Sequence, residues 1–233
     1  MKKNLLIFIV ASLILQGCAN TNNHSSTTTL KNTTNHSSKI VLMPIDVELM
    51  ELTALGSTET RADWTENAKG HMQTMIKEVM SSKNANMEMY APENTEFDSV
   101  DSQLVKLHEA VGYSVLVHHF GQLQLPSKKK VFDWSLGKDA KSLAKNTGAN
   151  YALFVFVRDS YSTGGRVAMQ VFGAILGIGI SGGVQVGFAS LVDLESGDIV
   201  WFNRLVSTTG DMRKAKGAEE SVTNLLDSFP TAN

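Results

Sequence analysis

The sequence predicts an α/β (α+β) fold: a mixed sheet of about five strands with helices packed on it, in the order βαβαβ, apolar insertion, β-hairpin, α. Three observations predict it. Short continuous apolar runs, Ile40-Val41-Leu42-Met43 and Tyr151-Ala152-Leu153-Phe154-Val155-Phe156-Val157, have the length and β-branched or aromatic content of strands buried on both faces. Between and after them, apolar residues recur at helical spacing, most clearly over residues 60–83. Near the C-terminus, two strand-like runs flank the turn Glu195-Ser196-Gly197-Asp198, the pattern of a hairpin.

The domain begins after two segments of different composition. Lys2 and Lys3 precede an apolar stretch over residues 5–15, which has the length of a secretory leader and falls short of the roughly 20 residues a membrane span needs. It ends in Leu15-Gln16-Gly17-Cys18, which holds the only cysteine of the chain. One cysteine excludes an intramolecular disulfide, and acylation would consume a thiol that is otherwise a liability in an oxidising compartment. The stretch resembles a bacterial lipoprotein signal: Leu15 three before the cysteine, small Gly17 just before it, and Gln16 where a small residue is more usual. That resemblance implies cleavage before Cys18 and attachment of acyl chains such as palmitate. Each buried methylene would contribute about 0.8 kcal/mol to membrane anchoring. Because Ala19 rather than an aspartate follows the cysteine, the resemblance also implies the outer membrane, facing the periplasm. Residues 1–17 are thus expected to be a signal peptide. Residues 18–38, rich in Asn, Ser and Thr with Leu30 as the one large apolar residue after Cys18, are expected to be a lipidated flexible tether. As a random coil the tether would span about 25 Å, and fully extended about 70 Å.

Residues 39–230 are expected to be one periplasmic domain, and the roughly 195 residues left after leader and tether suffice for a well-formed core. The whole chain is 42% hydrophobic and 19% charged, with net charge −2. Removing Lys2 and Lys3 leaves 19 basic against 23 acidic residues, or −4. A mildly acidic body is not built to collect on phosphate backbones, so nucleic acid is not an expected partner.

In chain order, Pro44 stops regular pairing after the first strand. Ile45, Val47 and Leu49 then alternate with Asp46 and Glu48, which read as a solvated strand face, with a cation-holding pair as the alternative. Thr60 and Asp63 suggest a capping box for the helix over residues 60–83, whose apolar face is Trp64, Ala68, Met72, Met75, Ile76, Val79 and Met80. Residues 87–90 form a short strand candidate. Val100, Leu104, Leu107, Val111 and Val115 mark a second helical face, extending to about Phe120 and bringing His118 and His119 along. The histidine pair invites a periplasmic hydrolase reading. No His-Glu-x-x-His or four-residue histidine spacing accompanies it, so structural histidines are the simpler account. Lys128-Lys129-Lys130 offers a possible contact with anionic lipid or glycan, or a solvated run. Residues 138–146 form a short helix with Gly148 as its stop. Residues 215–229 close the chain as a helix on Ala218, Val222, Leu225, Leu226 and Phe229.

Residues 164–183 stand apart. Gly164-Gly165 and Gly182-Gly183 bracket an apolar run carrying Phe172, Gly173, Leu176, Gly177 and Gly179. As a helix its fourteen or so residues would reach about 21 Å, short of a bilayer core of about 30 Å. Three readings compete: packing over the sheet, docking of a second copy or another protein, or contact with the membrane interface. The formal G-x-G-x-x-G from Gly177 to Gly182 lacks a strand before and a helix after it and is not read as a nucleotide site. Asp193, Glu195 and Asp198 are too few and too spread for a calcium loop and read as turn chemistry.

The strand Ile40-Val41-Leu42-Met43-Pro44, the strand Ala149-Asn150-Tyr151-Ala152-Leu153 and the hairpin from Ser190 to Trp201 resemble the α/β periplasmic domain of a family group. It comprises the curli-secretion lipoproteins, the N-terminal domain of the Tol-system propeller protein and lipoprotein activators of peptidoglycan synthases. The resemblance implies a non-enzymatic, membrane-anchored accessory module for secretion, polysaccharide export or wall assembly. Its implied partners are membrane lipid through acylated Cys18, and an envelope protein or further copies of itself. No cofactor or metal is implied. Curli channels build a barrel from apolar segments inserted in this domain. The single insertion here lacks the long alternating strands a barrel requires, which leaves a self-assembling ring or pore as an alternative.

Overall fold

One long strand organises the domain. β6 (Tyr151–Ser162) is the run predicted to be most deeply buried, and residues 151–157 are all sealed from solvent. β7 (Gln185–Asp193) pairs antiparallel along one edge of it. The other edge is shared by two strands, both parallel to it: β2 (Lys39–Leu42) along its first residues and β3 (Asp46–Leu52) along its last. β8 (Ile199–Ser207) continues the sheet beyond β7 through the predicted hairpin, and β5 (Asn86–Met89) lies outside β2 in parallel. Two three-residue strands complete it: β4 (Thr58–Thr60) on β3 and β1 (His24–Ser26) on the outer edge of β8. The computed structural model describes residues 24–26, 38–52, 57–91, 99–128, 131–162, 184–207 and 210–230.

The eight described strands exceed the expected five for clear reasons. The first expected strand is split at Pro44, and two polar triplets, without the apolar pattern that marks a strand, pair at edges. Of the segment expected to be an unstructured tether, His24–Ser26 departs from the expectation by pairing antiparallel with Asn203, Phe202 and Trp201. Edge backbone groups can be satisfied this way whatever the side chains.

The split at Pro44 does more than interrupt pairing. Leu42 pairs with Leu153 and Asp46 with Phe156, so Met43, Pro44 and Ile45 stand opposite only Phe154 and Val155. One extra residue shifts the side-chain alternation. Ile40 and Leu42 before it and Ile45, Val47 and Leu49 after it therefore face the same core, although their numbers change from even to odd.

Helices cover both faces. On one lie α1 (Ala62–Ser82), with Ala68, Met72, Ile76 and Met80 inward, and α4 (Ala215–Leu225), with Ala218, Val222 and Leu225 inward, around Trp201. The capping box expected at the start of α1 does not form. Thr60 belongs to β4 and its hydroxyl binds Glu48, while Arg61 occupies the cap position and pairs with Glu51 at 2.5 Å. The C-terminal end of α4 is held from the sheet: the Asn203 amide donates to the carbonyls of Asn224 (2.9 Å) and Leu225 (3.0 Å), two of the acceptors a helix end leaves open.

On the opposite face lie α2 (Val100–Val115) and α3 (Lys141–Thr147), over Phe154, Phe156, Phe188 and Phe202. Gly148 ends α3 in the left-handed conformation, as predicted. The inward face of α2 differs from the expected stripe. Asp101, Leu104, His108, Gly112 and Val115 are buried, whereas Val100 and Leu107 are 46% and 42% exposed. Both stripes have helical spacing. Leu104 and Val115 belong to both and Val111 packs against the same core, but hydropathy misses the buried acid, histidine and glycine. Gly112 is required there, since a Cβ would lie 2.0 Å from the Phe188 ring. A single π-helical turn, Leu116–Phe120, follows α2.

Candidate functional site

The residues expected to carry attachment and contact lie outside the described residues: Leu15, Gln16, Gly17 and Cys18, and likewise Gly164, Gly165, Phe172, Gly173, Leu176, Gly177, Gly182 and Gly183. The described part of the chain shows where each segment meets the domain. β2 starts at Lys39, beside the first residues of β6, so after its first contact at β1 the chain enters the middle of the sheet at that end. Residues 163–183 leave from the last residue of β6 and return just before β7, at the far end. Twelve residues of strand, about 36 Å at roughly 3.3 Å each, separate the two ends.

The far end is built on a buried polar network. Asp159 is 3% exposed. Its carboxylate accepts hydrogen bonds from the Tyr161 hydroxyl (2.6 Å) and the Gln185 amide (3.1 Å). Gln185 in turn accepts from Ser221 of α4 at 2.7 Å, and the Tyr161 oxygen accepts from the Met212 backbone N–H at 2.8 Å. The network thus ties together the strands on either side of residues 163–183, α4, and the segment leading into α4. Burial pushes the Asp159 carboxyl up to about 6, against the opposing pull of the bonds from Tyr161 and Gln185. Burial and the neighbouring Asp159 push the Tyr161 hydroxyl up as well. Outside this core, Arg213 lies 4.0 Å over the Tyr161 ring, and Trp64 is flanked by the guanidiniums of Arg61 (4.4 Å) and Arg213 (4.8 Å). These cations pair with Glu51, Asp63 and Asp211, so the rim is a locked cation–aromatic stack rather than an open charge.

On the opposite face, Asp46 and Glu48 do point the same way, and the cation they hold is the protein's own. Arg158 reaches Asp46 at 2.7 Å, Glu48 at 3.3 Å and Glu109 of α2 at 3.7 Å. The spacing in β3 was visible in sequence. The arginine, 112 residues away from Asp46, was not.

His118 Nδ1 meets the Leu123 carbonyl at 2.7 Å, and His119 is edge-on to Phe120 and Phe132. Partial burial lowers the His119 pKa. The histidine that does meet a serine is one that hydropathy had passed over. His108 Nε2 lies 2.5 Å from Ser190 Oγ, with its ring stacked 4.8 Å from Phe154. The two side chains are 2% and 0% exposed, and burial pushes the imidazole down to about 3. A neutral imidazole buried beneath α2 satisfies a core hydroxyl. A signal for it existed in the sequence: His108 is four residues from Leu104 and from Gly112, on a line with Asp101 and Val115.

Asp101 is a buried acid of this face. It accepts from Tyr90 (2.6 Å), Asn146 (3.1 Å) and Ser142 (3.2 Å), joining α2, α3 and the residue after β5. At the entry end, a cavity of about 230 Å³ is lined by Ser38, Asn150, Tyr151, Asp193 and Glu195. Asp193 Oδ1 accepts the backbone N–H groups of Glu195 and Ser196, and Glu195 pairs with Lys141. The acids of this hairpin therefore perform the expected turn chemistry. No group of three or more potential metal ligands occurs among the described residues.

No protein-family model matches the chain, and no curated protein matches it. Among solved structures it is similar to a PelC dodecamer from Paraburkholderia phytofirmans, with 14% identity, a TM-score of 0.44, and coverage of 92% of this chain and 100% of the other. It is also similar to lipoprotein GNA1162 from Neisseria meningitidis, with 12% identity, a TM-score of 0.32, and coverage of 82% and 99% respectively.

Proposed function

We propose that the chain is an outer-membrane lipoprotein, acylated on Cys18 and facing the periplasm, whose domain works by contact rather than by catalysis. One observation carries the reading: two lysines, an apolar run of leader length and Leu15-Gln16-Gly17-Cys18, ending in the only cysteine. The fold is compatible with it. The chain enters the sheet at one end, and the apolar glycine-bracketed segment is rooted at the other on strands tied by the Asp159 network. An anchored body with an apolar segment whose flanking strands meet at the far end from the start of β2 suits an accessory module. The partner is an envelope protein or a second copy, and the process served is secretion, polysaccharide export or wall assembly.

Replacing Cys18→Ala tests the anchor. The variant is expected to leave the membrane fraction and to lack acyl mass on its N-terminal peptide. Unchanged fractionation and mass would refute the reading. Photo-crosslinking from Phe172 or Leu176 in cells is expected to capture one envelope protein or a homodimer.

A further inference from the structure

The tether and the two ends of one surface loop rest on the same strand, β8. His24–Ser26 pairs with β8 at Trp201, Phe202 and Asn203. Only five residues, 19–23, then separate Cys18 from the sheet, so an acylated sulfur could stand no farther than about 20 Å from the edge of β8. The loop following the π-helical turn starts and ends on that same strand. Phe120 stacks on Phe202 with ring centres 5.9 Å apart, and Phe132 returns to Phe202 at 6.2 Å.

Five large apolar side chains are exposed among the described residues, and three belong to this loop: Leu123 at 70%, Val131 at 60% and Leu125 at 36%. Single exposed apolar residues are ordinary, but three within nine positions form a patch that calls for a partner. Over residues 121–133 the sequence has three lysines and one aspartate, a local charge of +2 in a chain whose net charge is −2. Lys128 is held by Asp133 at 2.9 Å, and the net positive charge of the segment beyond that pair, with its apolar tips, complements an anionic lipid surface. The opposite edge, β5, is four strand spacings or about 19 Å farther away and cannot be presented at the same time.

We propose that Leu123, Leu125 and Val131 form a membrane-contact patch, seated on anionic phospholipid when the His24–Ser26 strand clasps the tether to β8. The clasp sets the orientation of the domain: β8 toward the bilayer, β5 away from it. This inference rests on acylation of Cys18, and its test separates the two ideas.

The acylated protein is reconstituted in phosphatidylethanolamine–phosphatidylglycerol vesicles, with a nitroxide on Leu123→Cys, Val131→Cys or the exposed control Asn86→Cys of β5, one at a time. Cys18 is blocked by its acyl chain, so each protein carries one label. Collision with a water-soluble nickel chelate is expected to be several-fold weaker at positions 123 and 131 than at 86. Adding Ser25→Pro, which breaks the clasp, is expected to bring position 123 up to the level of 86. If acyl mass is present and all three positions collide equally, the patch is overturned while the anchor stands. If position 123 stays shielded with Ser25→Pro, the orienting role of the clasp is overturned. A protein without acyl mass that fails to float with vesicles overturns both.

Discussion

The two faces of the sheet use the same backbone and opposite chemistry. The face under α1 and α4 is aliphatic, built from Met72, Ile76, Met80, Val222 and Leu225, and its buried titratable group is an acid, Asp159. The face under α2 and α3 is aromatic, with Phe156, Phe188 and Phe202 stacked at 4.7 and 5.5 Å, and beside the hydrogen-bonded acid Asp101 it buries a base, His108. Burial disfavours the charged form of each, so the carboxyl rises and the imidazole falls. The lesson is that one physical cause makes the two faces respond to acid with opposite sign.

The largest effect expected from this contrast is in the pH dependence of stability. Unfolded His108 would take up a proton near pH 6.5, while the folded form stays neutral down to about 3. Its face therefore loses stability as pH falls through that window, by as much as about 5 kcal/mol, since each pH unit between the two values costs roughly 1.4 kcal/mol. Asp159 works the other way. Its contribution is fully present below the ordinary carboxyl value and is lost as pH rises through about 6. Acidification from 7 to 4 therefore returns up to about 3 kcal/mol. Urea unfolding at pH 7, 5.5 and 4 measures both. His108→Gln is expected to flatten the acid loss relative to the parent, and Asp159→Asn to remove the acid gain. If both variants kept the parent's profile, the assignment of one titrating group to each face would fail.

A smaller effect separates the helices on the two faces. Gly112 of α2 faces the Phe188 ring with no room for a methyl, while Gly70 of α1 has nothing within 4 Å of the Cβ it would gain. Gly112→Ala is expected to destabilise by about 2–3 kcal/mol through overpacking. Gly70→Ala is expected to stabilise by up to about 1 kcal/mol through helix propensity and reduced freedom of the unfolded chain. Thermal unfolding monitored by circular dichroism gives both signs. A neutral Gly112→Ala would mean that the aromatic face is looser than the aliphatic one.

Much of the architecture was legible in the residues. β6, β7 and the hairpin to β8 announce themselves as continuous apolar runs around a glycine turn, because strands buried on both faces leave no polar position to confuse the pattern. α1 and α4 show their inward stripes, and Gly148 its cap, because these signals are local and repeat within a turn or two. The proposed lipoprotein signal rests on the same kind of local pattern and needs no fold to be read.

The rest depended on residues that meet only after folding. His108 finds Ser190 across 82 positions and Arg158 finds Asp46 across 112, so a hydropathy pattern counts each as solvent-seeking when each is satisfied from afar. The inward stripe of α2 was misread for that reason. The pairing of His24–Ser26 on β8 and the extra residue at Pro44 are matters of backbone bonding and register, and no side-chain pattern encodes either. What the linear order of residues set was the succession of elements. Which polar groups are buried, which strand completes which edge, and which edge the tether reaches were set by long-range packing, because a buried charge or an open strand edge is tolerated only where a distant partner arrives to satisfy it.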